Sequence, residues 1–294
     1  MDIKHCTLCP RECGIDRTVT AGYCGGSNII KAARAELHFW EEPCISGKKG
    51  SGTVFFSGCT LKCCFCQNYK ISAENIGKEI SVERLAEIFI ELQDKGAENI
   101  NLVNPTHYVP FIIEALDMVK SRLVIPVVYN SGGYEKTDTI ALLDGYVDIY
   151  LPDIKYKSSI ISKKYSKAEN YFEVAAKAIE KMYEQVGEIK YKDNLLKKGV
   201  IIRHLVLPGN RKDSIELLDW IAQTFDKDKI LVSLMSQYTP FYRSGDYPEI
   251  NRRVSTFEYN KVLEHAQKLG LNGFMQEKSS AKEEYTPDFD MTGI

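Results

Sequence analysis

Three cysteines at the spacing C-x3-C-x2-C, Cys59, Cys63 and Cys66, follow a short apolar run that ends in Ser57-Gly58, and Phe65 stands immediately before the last thiol. A closed four-thiolate site needs one thiol more. An iron-sulfur cube held by three thiolates keeps one iron unligated, and a small molecule can bind and react there. All nine cysteines, at 6, 9, 13, 24, 44, 59, 63, 64 and 66, fall in the first quarter of the 294 residues. That is clustering, not the scattered even pairing of a disulfide framework. The chain opens without a basic-then-apolar signal segment, and no apolar run approaches the ~20 residues of a membrane span. A cytoplasmic, reducing location is therefore expected, where clustered cysteines serve as metal or cluster ligands. The net charge of −2 gives no electrostatic case for a general nucleic-acid or membrane-surface binder.

Residues 1–50 read as a cysteine-rich head with little hydrophobic period, and 51–294 as the main domain. The head carries Cys6, Cys9, Cys13 and, within Gly22-Tyr-Cys-Gly-Gly26, Cys24. Four thiols are enough to close a tetrahedral zinc site or to ligate a second [4Fe-4S] cluster, and the gaps suit either. Cys44, alone in Glu41-Glu-Pro-Cys-Ile, reads as a small buried hydrophobe. Cys64 is expected to point away from whatever its neighbours bind.

From Thr53 a strand-then-helix rhythm runs to the end of the chain. Apolar or β-branched runs at 53–57, 99–103, 123–129, 147–151, 200–206 and 230–235 read as buried strands. Helical patterns follow at 81–95, 108–121, 136–144, 169–186, 213–224 and 256–269. In the first of these Ser81 is the N-cap, Val82, Leu85, Ala86, Phe89 and Leu92 form the apolar stripe, and Gly96 is the stop. Six such units predict an α/β fold, a partial, open (β/α)6 TIM-like barrel. Ligands of such sheets gather at the carboxyl ends of the strands. Polar residues stand there: Asn104-Pro-Thr-His107, Asn130-Ser-Gly-Gly133, Asp153-Ile-Lys155, Arg203-His204 and Ser236-Gln-Tyr238. The Lys- and Tyr-rich stretch 156–198 is expected to form one long helix plus an extension. The tail from Gly273 should lie across the barrel mouth or pack beneath it.

The cysteine motif at the end of a first strand, followed by a βα array, resembles the radical S-adenosylmethionine superfamily. Gly58-Cys59, Cys66-Gln67-Asn68, Glu41-Glu-Pro-Cys-Ile-Ser-Gly47, Asn104-Pro-Thr-His-Tyr-Val-Pro110 and Tyr129-Asn-Ser-Gly-Gly-Tyr134 are similar to the pyruvate formate-lyase activating enzyme-like proteins of that superfamily, over essentially the whole chain. The resemblance implies that Cys59, Cys63 and Cys66 ligate three irons of a [4Fe-4S] cluster whose fourth iron is chelated by S-adenosylmethionine. It further implies that Asn104 and Thr106 receive the methionine amino group, although the acidic residue of the superfamily's Gly-Gly-Glu-type segment is lacking. Asn130 and Ser131 would contact the ribose, and Asp153, Lys155 and Arg203 would also face the cofactor. Tyr129 or Asn130 stands where activating enzymes keep a cation-binding carboxylate. The implied activity is reductive cleavage of S-adenosylmethionine to a 5′-deoxyadenosyl radical, fed by an electron donor such as flavodoxin or ferredoxin. The radical takes hydrogen from a protein glycine or, alternatively, from a small molecule or peptide. A competing class is a non-catalytic metal-binding protein; it predicts four-thiolate closure at every site, which the three-cysteine loop does not offer.

Overall fold

The computed structural model describes residues 3–275 and 287–294. Within the segment read as head, two elements already serve the main sheet. They are strand β1 (Ile30–His38) and a single helical turn, α1 (Pro43–Ser46). The first parallel strand, β2 (Ser51–Phe56), is buried along its whole length, as a strand covered on both faces must be. The cysteine loop follows it, then α2 (Tyr69–Ser72) and β3 (Lys78–Ile80). Helix α3 (Val82–Asp94) starts as its sequence predicts: the Ser81 hydroxyl accepts the Arg84 N–H at 3.1 Å, and Leu85, Ala86, Phe89 and Leu92 are buried. Gly96, with φ +88°, turns the chain out of it.

The array continues through β4 (Ile100–Val103), α4 (Val109–Val119), β5 (Val127–Ser131), α5 (Thr137–Ala141) and β6 (Ile149–Pro152). The Lys- and Tyr-rich insertion is two helices, α6 (Ser159–Ser166) and α7 (Tyr171–Val186), where one long helix was expected. Its extension is a hairpin joining β7 (Lys190–Lys192) to β8 (Leu195–Leu205). Asp193 and Asn194 make that turn with φ +54° and +63°, the left-handed pair a two-residue hairpin requires. Helix α8 (Arg211–Thr224), β9 (Leu231–Met235), α9 (Thr256–Leu269) and β10 (Gly273–Met275) complete the chain order.

The strands form one sheet in the order β10-β9-β8-β6-β5-β4-β2-β1-β3, with β7 alongside β8. From β2 to β10 successive neighbours on this path are parallel, whereas β1 is antiparallel to both β2 and β3. The sheet curls without closing, the open barrel that six βα units predict. Side-chain alternation sends Val54, Phe56, Leu102, Tyr129, Tyr150, Val200 and Val232 outward, where they join the core beneath the helices. The opposite set faces the barrel interior. At its lower end Cys44 and Ile45 of α1 pack with Val128, Ile149, Leu151, Leu196, Ile201 and Leu231, so α1 plugs the barrel and Cys44 is a core thiol. Residues 287–294 run along β1, with the Met291 N–H on the Ala33 carbonyl and the Ala35 N–H on the Thr292 carbonyl. Phe289 meets Phe55 edge-on there. The rest of the tail, 276–286, lies outside the described residues. No helix among the described residues is long and apolar enough to cross a membrane.

Candidate radical cofactor site

The cysteine loop leaves β2 through Gly58, whose φ of +89° and position against the Cys24 carbonyl leave no room for a side chain: a Cβ there would lie 2.3 Å from that oxygen. Cys59 N–H then donates to the same Cys24 carbonyl at 2.9 Å, so the head is hydrogen-bonded to the first cysteine of the loop. Arg11 reinforces the docking, with donors to the carbonyls of Thr60 at 2.8 Å and Lys167 at 2.6 Å. Phe65 anchors the loop from beneath by packing edge-on against Tyr156, Tyr165 and Tyr238.

Each of the three thiols receives a hydrogen-bond donor: Leu61 N–H to Cys59 at 3.3 Å, the Ser166 hydroxyl to Cys63 at 2.9 Å and the Ser72 hydroxyl to Cys66 at 3.2 Å. Burial, then the neighbouring sulfurs, push the Cys66 thiol up to about 12, and burial raises Cys59 as well. Thiols so placed ionise when a metal supplies positive charge, and the three donors then stabilise the thiolates. This donor set fits an iron-sulfur cube, whose irons take one cysteine each. Among the described residues, no three or more Cys, His, Asp or Glu side chains close around a single ion. Cys64 is held through its backbone, N–H to the Tyr165 carbonyl and carbonyl from the Arg243 N–H, both at 2.8 Å. It does not line the cavity its neighbours share.

That cavity, of about 140 Å³, is lined by Cys59, Cys63 and Cys66 together with Asn104, Asn130, Ser131, Asp153, Lys155 and Arg203. Nine of the ten residues expected at the cluster and cofactor thus surround one space. Thr106 is the exception. It is buried in a short helical turn, and its hydroxyl donates to Glu135 at 2.7 Å, so it faces the outer core and not the cavity. Asn104 ends β4 in left-handed conformation, φ +59°, with its amide on the Gly58 carbonyl. Tyr129 also points outward, donating to Glu135 at 3.3 Å.

A charged network crosses the barrel below. Asp153 accepts from Lys155 at 2.6 Å and from Arg203 at 2.9 Å; Arg203 also reaches Asn130 at 2.5 Å and Glu41 at 3.3 Å. Burial opposes ionisation of Asp153, but the charges of Arg203 and Lys155 outweigh it and hold the carboxyl below its usual range. Glu41 is the centre of the interior: Asn101 donates to it at 3.0 Å and Asn130 at 3.3 Å. Beside it Glu42 is buried and lines a cavity together with Ser233. Neither carboxylate is evident from periodicity, because only the fold reveals that the chain before β2 re-enters the barrel. The signal available was Glu41-Glu-Pro-Cys-Ile, among the segments similar to the activating enzyme-like proteins.

In the head, Cys6, Cys9 and Cys24 are buried and Cys13 is exposed. Cys13 and Cys24 sulfurs flank Gly22, at 3.4 and 3.5 Å from where its Cβ would be. Gly26 N–H donates to Cys24 at 3.4 Å, and the charges of Cys6 and Cys13 both bear on Cys24. Cys13 and Cys24 thus lie near one another, and the Cys24 carbonyl joins this part of the head to the three-cysteine loop.

The radical SAM superfamily model matches residues 53–221 of this chain. Over 280 residues, 92% of this chain and 76% of the relative, the sequence is 33% identical to the uncharacterised protein MJ0674 of Methanocaldococcus jannaschii. Among solved structures, Streptococcus suis SuiB bound to S-adenosylmethionine superposes with a TM-score of 0.52 at 15% identity, over 74% of this chain and 48% of SuiB. Methylornithine synthase (PylB) gives 0.50 at 15% identity, over 71% of this chain and 59% of that one. The match thus covers about half of each solved chain, and likeness at that identity shows a shared fold. With the family model spanning more than half of its length, the chain belongs to the radical SAM superfamily.

Proposed function

We propose that this protein is an enzyme that uses a [4Fe-4S] cluster and S-adenosylmethionine to abstract hydrogen from a substrate lodged in the barrel mouth. The observation that carries this is the single cavity shared by three thiols and the polar ends of four successive parallel strands, β4, β5, β6 and β8. When bound, the two groups supply an electron and a carbon–sulfur cleavage that yields a 5′-deoxyadenosyl radical. The protein's residues hold and enclose them. Cys59, Cys63 and Cys66 are the ligands, Asn104 presents strand-end backbone to the methionine portion, and Asn130 and Ser131 stand at the ribose. Lys155 and Arg203, fixed by Asp153, balance negative charge. A reduced flavodoxin or ferredoxin is the donor we expect, and the head quartet holds zinc or a second cluster.

The substrate reading we favour is a small molecule or a peptide side chain. Glu41, Glu42, Asn101 and Arg203 form a charged floor inside the barrel, and a protein glycine has no side chain for such a floor to recognise. The test is 5′-deoxyadenosine formation by reduced, reconstituted protein, given separately the protein and the small-molecule fractions of a cell extract. Stimulation by the small-molecule fraction, or by short peptides, supports this reading. Stimulation by an intact protein that then carries a glycyl radical, seen by electron paramagnetic resonance, replaces it with the activating-enzyme version.

A further inference from the structure

The charges inside the barrel do not cancel in place. Arg203 and Lys155 are engaged by Asp153, and Arg203 by Glu41 as well. Glu42 forms no ion pair with either cation. It is 8% exposed, and its Oε2 has no hydrogen-bond partner among the described residues, although it lines a cavity of about 220 Å³. A buried carboxylate oxygen left unpaired is costly, which points to a ligand that completes it. Burial raises the Glu42 carboxyl; Arg203 opposes the shift and Glu41 adds to it. An arriving cation would favour the ionised form.

The rest of the chamber sets the shape of that cation. Trp40, Phe55, Met235, Phe274 and Pro287 give it apolar patches within a lining that is mostly polar, and the volume equals that of roughly seven waters at liquid density. Arg203 and Asn68 line this cavity and also the one that holds the three cysteines, so a molecule seated on Glu42 extends toward the cofactor site. One carboxylate oxygen lacks a partner among the described residues. That suits a compact ammonium better than a guanidinium, which pairs best with both oxygens of a carboxylate. We infer that the chamber recognises a primary ammonium group on a short arm, with Glu42 as the carboxylate that receives it. The inference rests on reading the chamber as the substrate site of a radical enzyme.

The test is calorimetric titration of reconstituted protein, with S-adenosylmethionine present, by n-pentylamine, n-pentylguanidine and n-pentanol near neutral pH. The amine should bind at least about tenfold more tightly than the alcohol, the difference expected for filling a buried charge, and more tightly than the guanidine. In Glu42→Gln the advantage over the alcohol should vanish. Equal binding of amine and alcohol, tighter binding of the guanidine, or an amine preference that survives Glu42→Gln would overturn the inference. The wild-type series decides even if the variant does not fold. Cleavage of S-adenosylmethionine on the same preparation is scored separately. Cleavage without amine selectivity removes this inference alone, and selectivity without cleavage removes the radical reading alone.

Discussion

Arg203 joins three parallel strands to the turn that plugs the barrel, through Asp153, Asn130 and Glu41. The side chains of Arg203, Asp153 and Glu41 are 14%, 16% and 10% exposed, so removing the guanidinium strands two buried carboxylates. Breaking a buried pair costs about 3–5 kcal/mol, and because Lys155 stays on Asp153, Arg203→Ala should fall near the lower end. Denaturant unfolding would show this, and Arg203→Lys should recover little of it, lacking the planar fork. His204 sets a pH dependence. Buried, with its ring nitrogens 2.7 Å from the Ile154 carbonyl and 2.8 Å from the Ser214 hydroxyl, it is pushed down to about 4 by burial. His38 and His107 are pushed down to about 4 for the same first cause. An unfolded histidine titrates near 6.5, so between those values the unfolded chain binds more protons. The stability held above about pH 6.5 is therefore lost as pH falls toward 4. Each such histidine should remove roughly 1–2 kcal/mol between pH 7 and 5, and His204→Gln should flatten the pH dependence of unfolding. At this scale the sequence exposed residues whose spacing or strand-end position is itself a signal, such as the thiols and Asp153. It hid Glu41 and Glu42, whose role depends on a turn folding back under the sheet, and it suggested Thr106, which the short helical turn after Pro105 rotates toward Glu135.

Elements with strong local signals were legible in advance. Ser81, the apolar stripe and Gly96 bound α3 as its pattern predicts, and six of the seven parallel strands overlap the apolar or β-branched runs, β10 being the one not read. Ser81→Ala removes the N-cap acceptor and should cost about 1 kcal/mol, read as a lower urea midpoint. What local patterns did not give was the antiparallel β1, whose Ala32, Ala33 and Ala35 are nearly fully buried. Small residues carry weak strand propensity, so only pairing with β2 reveals the strand. The β7–β8 hairpin was hidden likewise, since its exposed Lys-Tyr-Lys reads as a solvated run. The insertion divides at Lys167, whose left-handed conformation, φ +52°, ends α6.

For the molecule as a whole, the head and barrel meet at the point where the three-cysteine loop begins, through the Cys24 carbonyl, Arg11 and Arg17, whose guanidinium reaches the His107 carbonyl at 2.7 Å. A metal bound by the head cysteines, as proposed, should therefore brace the loop. Cys6→Ala is expected to lose about four irons per chain if the head holds a cube, or one zinc if it holds a single ion, and in either case to lower the melting temperature. Unchanged iron, sulfide and zinc counts would remove the second site. The most direct measurement is the product of S-adenosylmethionine turnover by anaerobically reconstituted, reduced protein. Formation of 5′-deoxyadenosine and methionine by the wild type, and none by Cys59→Ala, Cys63→Ala or Cys66→Ala, is the expected result; a fully loaded wild-type cluster that yields no 5′-deoxyadenosine would contradict it.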